Sequence, residues 1–132
     1  MTIFNSRATG YYPDESKIEG GWTDMHGRPL NTLQDFLVGF EVGPDGRHRQ
    51  IQYVSAAMDP IAWPFGTYLF CDELQEKLKD YIVGGRRLVL QICDTGGAFT
   101  GQGLARIDIC TKNKRCCEWD GINKTLQFRV LD

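Results

Sequence analysis

No apolar run in the chain approaches the roughly 18 residues that a membrane-spanning helix requires, so no span is expected. A basic excess is missing too: 15 Lys and Arg stand against 17 Asp and Glu, for a formal charge of −2. Nucleic-acid binders ordinarily carry a strongly basic face, so nucleic acid is not expected as a partner. The one basic run, Lys112-Asn113-Lys114-Arg115, is short and reads as a solvated hairpin tip. Histidine is scarce and no C-x-x-C pair occurs; His26 and His48 keep no regular spacing from a cysteine. A zinc site is therefore not expected, and no metal or cofactor is assigned. The count of 5 cysteines is odd, which leaves at least one unpaired in a monomer. Cys116 and Cys117 are adjacent and would strain to bridge each other, so reduced structural thiols are expected. The opening Met1-Thr2-Ile3-Phe4-Asn5-Ser6-Arg7 has neither the basic nor the apolar region of a signal peptide. Retention inside the cell, removal of a leader, and export by another machine all remain open. Repeats and low-complexity segments are absent.

What is present is enough for one core. The 132 residues fit a single domain, 1–132, and 42% of them are hydrophobic, with 7 Phe, 5 Tyr and 3 Trp. The 15 glycines and frequent turn signals divide the chain into short strands. Strands are expected at Phe4 to Tyr12, Phe40 to Val42, Gln50 to Met58, Thr67 to Phe70, Leu88 to Cys93, Ala105 to Cys110 and Thr125 to Leu131. Gly43-Pro44-Asp45-Gly46 is a strong turn, and residues 14–29 read as a long polar loop of the kind that often carries function. Asn31 or Thr32 is placed to cap a short helical turn through Leu37, closed by Gly39. Asp72 with Gln75 resembles a capping box for a helix to Tyr81, whose Leu74, Leu78 and Tyr81 would share one core-facing stripe. Many short strands with one or two short helices predict a mainly β chain closed into a barrel.

Three aspartates stand out against this frame. Asp59 opens Asp-Pro-Ile-Ala-Trp-Pro-Phe-Gly-Thr, Asp94 ends an apolar strand before Thr95-Gly96-Gly97-Ala98, and Asp108 sits between Ile107 and Ile109. With isoleucines in the core, strand alternation turns Asp108 toward a groove or solvent. The same alternation sets Cys93 and Asp94 on opposite faces, which makes Cys93 a poor assistant for Asp94. Each aspartate alone fits a turn or a solvated strand position better than a working site.

In order, however, Asp-Pro, Pro-x-Gly-Thr, Asp-Thr-Gly-Gly-Ala and Arg-Ile-Asp resemble the 3D (three-aspartate) domain family. Ala8-Thr9-Gly10-Tyr11-Tyr12 is similar to that family's first strand, and the resemblance covers about Ala8 to Cys110. It implies a six-stranded double-psi β-barrel, as in the MltA-type lytic transglycosylases of peptidoglycan and in resuscitation and stationary-phase survival wall enzymes. Implied with it are a glycan strand as partner and the bacterial cell wall, periplasmic or extracellular, as place of action. The reaction cleaves the MurNAc-β-1,4-GlcNAc bond without water: the muramic C6 hydroxyl attacks, leaving a 1,6-anhydro end. One carboxyl group then serves as acid and base. The resemblance assigns that part to Asp94, with Asp59 and Asp108 raising its proton affinity or holding the site by hydrogen bonds. Thr9, Tyr11, Trp63, Thr95, Gly96 and Gly97 are the expected substrate-binding residues; the glycines would open backbone N–H groups to an acetamido carbonyl. Each tryptophan fits the core as well as a sugar platform. A monomer is expected.

The chain departs from the family in a longer Gly101 to Asp108 segment and in elaborated loops at 14–29 and 72–87. The second domain that helps form the sugar groove in MltA-type enzymes has no counterpart in these residues. A glycan-binding or wall-loosening module of the expansin-like kind is the alternative, and a barrel without a wall role a third. Asp-Thr-Gly is also the aspartic-protease signature, but there the motif comes early and a second barrel half follows it.

Overall fold

A computed structural model describes residues 2–12, 23–43, 45–94 and 101–131, residue 94 through its backbone alone. Among these described residues eight strands and two short α-helices follow one another. They are β1 (Ile3–Tyr11), α1 (Leu33–Val38), β2 (Phe40–Val42), β3 (His48–Gln50), β4 (Val54–Ala57), β5 (Tyr68–Phe70), α2 (Asp72–Leu78), β6 (Val89–Asp94), β7 (Arg106–Cys110) and β8 (Lys124–Leu131). Six of them close a barrel in the order β1-β7-β4-β6-β5-β8, while β2 and β3 form a separate hairpin. Among the described residues, no helix is long and apolar enough to cross a membrane.

Two parallel pairs, β1 with β7 and β4 with β6, are joined by the antiparallel contact of β4 with β7. Exchanging β1, β4 and β5 for β6, β7 and β8 reproduces the same cyclic order of neighbours. Each half sends a strand between strands of the other half, and this is the double-psi barrel.

Alternation fills the interior. On β1, Phe4, Ser6 and Ala8 are buried while Asn5 and Arg7 are exposed; on β8, Leu126 and Phe128 are buried between exposed Thr125 and Gln127. These meet Val54, Ala56, Leu69, Leu90, Ile92, Ile107 and Ile109 in one cluster, extended by Leu33 and Phe36 of α1 and Leu74 and Leu78 of α2. Full burial of each large side chain is worth about 1.5–3 kcal/mol, so this cluster dominates the stability of the fold. All of β4 is buried, because its outer face is covered as well: Ser55 exchanges bonds with Asn31 there, Asn31 N–H to Ser55 Oγ at 2.9 Å and Ser55 N–H to Asn31 O at 2.9 Å.

Several local expectations need correction. Thr32 does cap α1, accepting from Asp35 N–H, and Gly39 ends it at a positive φ of 103°. At α2, by contrast, the cap residue is Cys71 and no side chain bonds the first turn; Asp72 lies one position inside the helix. The α-helix stops at Leu78 and a 3₁₀ turn, Lys79–Tyr81, follows, which swings Tyr81 off the buried stripe and leaves it 68% exposed. The expected strand Gln50 to Met58 is two strands, since β3 belongs to the hairpin and β4 to the barrel. Lys112 to Arg115 is exposed but tips no hairpin: β7 and β8 are not neighbours, and the segment leads into a 3₁₀ turn at Cys116–Glu118. None of the five cysteines forms a disulfide, and Cys71, Cys93 and Cys110 are buried.

Candidate functional site

The site follows from register. In the parallel pair β4–β6, Ala56 faces Ile92 but the next pair is Ala57 with Asp94, so Cys93 is an extra residue. Such a bulge bends the strand and resets its alternation. The opposite facing of Cys93 and Asp94 expected from a regular strand rests on an alternation that this step interrupts. Ala57 in turn faces Asp108 across β4–β7, and Asp108 faces Thr9 across β1–β7. Positions 94, 57, 108 and 9 thus form one lateral row over four strands. The neighbouring row, Ile92, Ala56 and Ile109, is in the core.

Asp108 lies on the outer face, as its isoleucine flanks require, yet it is only 9% exposed. The Thr9 hydroxyl donates to its Oδ1, and Arg106 Nε lies 3.8 Å from the same oxygen. Burial pushes its pKa up, and the Thr9 hydrogen bond and the Arg106 charge oppose that only in part. Asp108 therefore holds a proton to higher pH than a free aspartate, whose pKa is about 3.9.

Asp59, two residues beyond Ala57, behaves in the opposite way. Its Oδ2 accepts from Gly103 N–H at 2.9 Å and its Oδ1 from Ile61 N–H at 3.1 Å. The Gly103 bond and then the Ile61 bond hold its carboxyl below the usual range, against a smaller opposing effect of burial. Asp59 is a fixed anion that ties residues 101–105 to the turn at 59–62. Its carboxylate is spent on backbone amides, so its part is positional.

The other expected residues are distributed unevenly. Tyr11 ends β1 opposite Cys110, and its carbonyl accepts from Thr111 N–H at 2.7 Å. Trp63 is half-buried and leans inward, its ring 5.7 Å from that of Phe4, with no hydrogen-bond partner for Nε1 among the described residues. Thr95, Gly96 and Gly97 lie outside the described residues, as does the side chain of Asp94. Among the described residues, no group of three or more His, Cys, Asp or Glu is gathered as a metal site would need.

No protein-family model matches the chain, and no curated protein matches it. The site stands on its geometry.

Residues beyond the three aspartates also converge on the end of β6. Met25 N–H reaches Cys93 O at 3.4 Å, and Gly66 N–H reaches Ile92 O at 2.7 Å. The segment 23–29 is folded on buried Asp24, which accepts from His26 N–H at 2.9 Å, Arg28 N–H at 3.0 Å and Arg28 Nε at 3.0 Å. Arg28 Nη2 then donates to Gln91 Oε1 at 2.8 Å. The His26 and Phe65 rings stack with centroids 3.6 Å apart. Sequence reasoning passed over this cluster inside a long polar loop. The signal was Asp24 followed by Gly27 and Arg28, an aspartate placed to cap its own turn.

Proposed function

We propose that the chain is a lytic transglycosylase-like enzyme of the 3D-domain kind, cleaving the MurNAc-β-1,4-GlcNAc bond of peptidoglycan with formation of 1,6-anhydro-MurNAc. The observation that carries this reading is the lateral row that sets position 94 beside Ala57, Asp108 and Thr9, with Asp59 clamping the adjoining loop. Asp94 is the general acid and base: it protonates the leaving oxygen, then takes the proton of the muramic C6 hydroxyl as that oxygen attacks the anomeric carbon. No enzyme nucleophile and no water are required, which suits a site with a single working carboxyl group. Asp108 deepens the proton affinity of the site, and Asp59 positions it.

One observation favours a second assignment within the same reaction. Asp108 is buried, accepts from the Thr9 hydroxyl and has its pKa displaced upward, the direction a general acid requires, which makes it the second candidate for that role.

The test is mass spectrometry of purified peptidoglycan after incubation with the protein. Released muropeptides should lack the mass of one water relative to hydrolysed equivalents, and borohydride should leave their muramic ends unreduced. Asp94→Asn should keep the fold and lower turnover by about 10²–10⁴-fold. Reducing muramic ends would identify a muramidase instead, and binding without cleavage would favour the expansin-like alternative.

A further inference from the structure

The cluster beside the end of β6 has the make-up of a recognition site. Asp24 and Gln91, both buried at 5% exposure, engage Nε and Nη2 of Arg28 and fix the plane of its guanidinium. Among the described residues this leaves Nη1 unengaged, and the Arg28 side chain is 41% exposed. A guanidinium held on one edge by a buried carboxylate and an amide keeps its charge and presents its other edge at little entropic cost. Next to it stands the His26–Phe65 stack, with the Arg28 guanidinium carbon 5.0 Å from the Phe65 ring centroid. His26 is exposed, so the outer face of its ring is open. Both loops are tied by backbone bonds to Ile92 and Cys93, the two residues before Asp94, so ring and cation keep a fixed place beside the row.

We infer that this cluster is a subsite for a sugar unit bearing a carboxylate, the ring lying on His26 and the carboxylate on the free edge of Arg28. A flat aromatic face next to a preset cation fits a pyranose ring with an acidic substituent and gives a neutral hexosamine nothing for the charge. The inference rests on the glycan reading above and names the unit that the site selects. In peptidoglycan the carboxylate has two sources: the lactyl group of a muramic acid stripped of peptide, or the acidic residues of a stem peptide.

Binding can be measured on the wild-type chain without turnover, because the disaccharide GlcNAc-β-1,4-MurNAc contains no MurNAc-to-GlcNAc bond. Four probes are titrated by NMR and calorimetry: this disaccharide with its lactyl carboxylate free, the same with the lactyl group as a primary amide, the same carrying a stem peptide, and neutral chitobiose. At least one carboxylate-bearing probe should bind about tenfold tighter than both chitobiose and the amide. The probe that gains identifies the source of the carboxylate. His26→Ala, an exposed position, should weaken that probe by about fivefold, and the Arg28 Nε resonance should shift on binding. Equal affinity for all four probes, or an unchanged affinity in His26→Ala, overturns the inference. Selective binding without anhydro products in the cleavage assay would leave this subsite standing and remove the activity. Anhydro products with no carboxylate preference would do the reverse.

Discussion

Replacing Asp108 by Asn separates a working carboxyl from a structural one, because the two roles move stability in opposite directions. The side chain is 12% exposed, so the charged form loses most of its hydration on folding. Arg106, 39% exposed and 3.8 Å away, returns at most about 1 kcal/mol. The Thr9 hydroxyl bond can survive substitution in weaker form, since an Asn Oδ1 accepts it without the charge. A carboxyl whose folded pKa is raised contributes stability below its unfolded pKa of about 3.9 and loses it as pH rises through the folded value. Asp108→Asn should therefore match the wild type near pH 4 and exceed it at pH 7, by about 1–2 kcal/mol. Urea unfolding followed by tryptophan fluorescence across that range reads the difference directly. Turnover of the same variant should fall. Gain in stability with loss of activity marks a group retained for chemistry. A variant less stable at pH 7 than at pH 4, relative to wild type, would mean that the fold favours the ionised carboxylate, and the argument from burial would fail.

Asp59→Asn exchanges an ionised acceptor of two backbone bonds for an amide that can accept at one oxygen only, so amide hydrogen exchange at Gly103 should accelerate and turnover should drop. Its pKa is held down, so its contribution to stability is present above the unfolded pKa and disappears as pH falls through the folded one. The Asp59→Asn deficit should therefore shrink in acid. Gly10→Ala places a methyl group 3.0 Å from Cys117 Cα and 3.0 Å from Ile122 Cδ1, and overpacking of that kind costs about 1–3 kcal/mol. A lowered midpoint of thermal unfolding is expected, and an unchanged midpoint would mean that the turn at 116–118 shifts freely.

The parts of the fold legible in the sequence are those set by short-range patterns. Ile107-Asp108-Ile109 fixes its own facing, Thr32 announces its helix, and outside residues 48–58 the Gly-rich turns delimit strands to within a residue or two. What escaped depends on partners far away. The bulge at Cys93 exists only relative to β4, and no pattern within Val89–Asp94 signals it. The division between β3 and β4 is decided by which sheet each one joins. Tyr81 satisfies the helical period, yet the change to 3₁₀ geometry after Leu78 carries it to solvent. In the site, the sequence pointed to Asp59 and Asp108 but could not separate their environments. One is saturated by the backbone donors of Ile61 and Gly103 and the other is buried beside Thr9, and both conditions come from residues outside the local pattern.

The double-psi order also has a kinetic consequence. Among the described residues β7 is the only strand that touches both β1 and β4, and it arrives about four-fifths of the way along the chain. The Thr9–Asp108 hydrogen bond spans 99 residues of sequence. Until β7 inserts, β1 and β4 are open edges, and the row that holds the candidate site does not exist in part. Such non-local closure makes folding slow, and it leaves strand edges exposed to other chains while it proceeds. The strand that completes the site thus also covers two edges, one on β1 and one on β4, that would otherwise stand open to other chains.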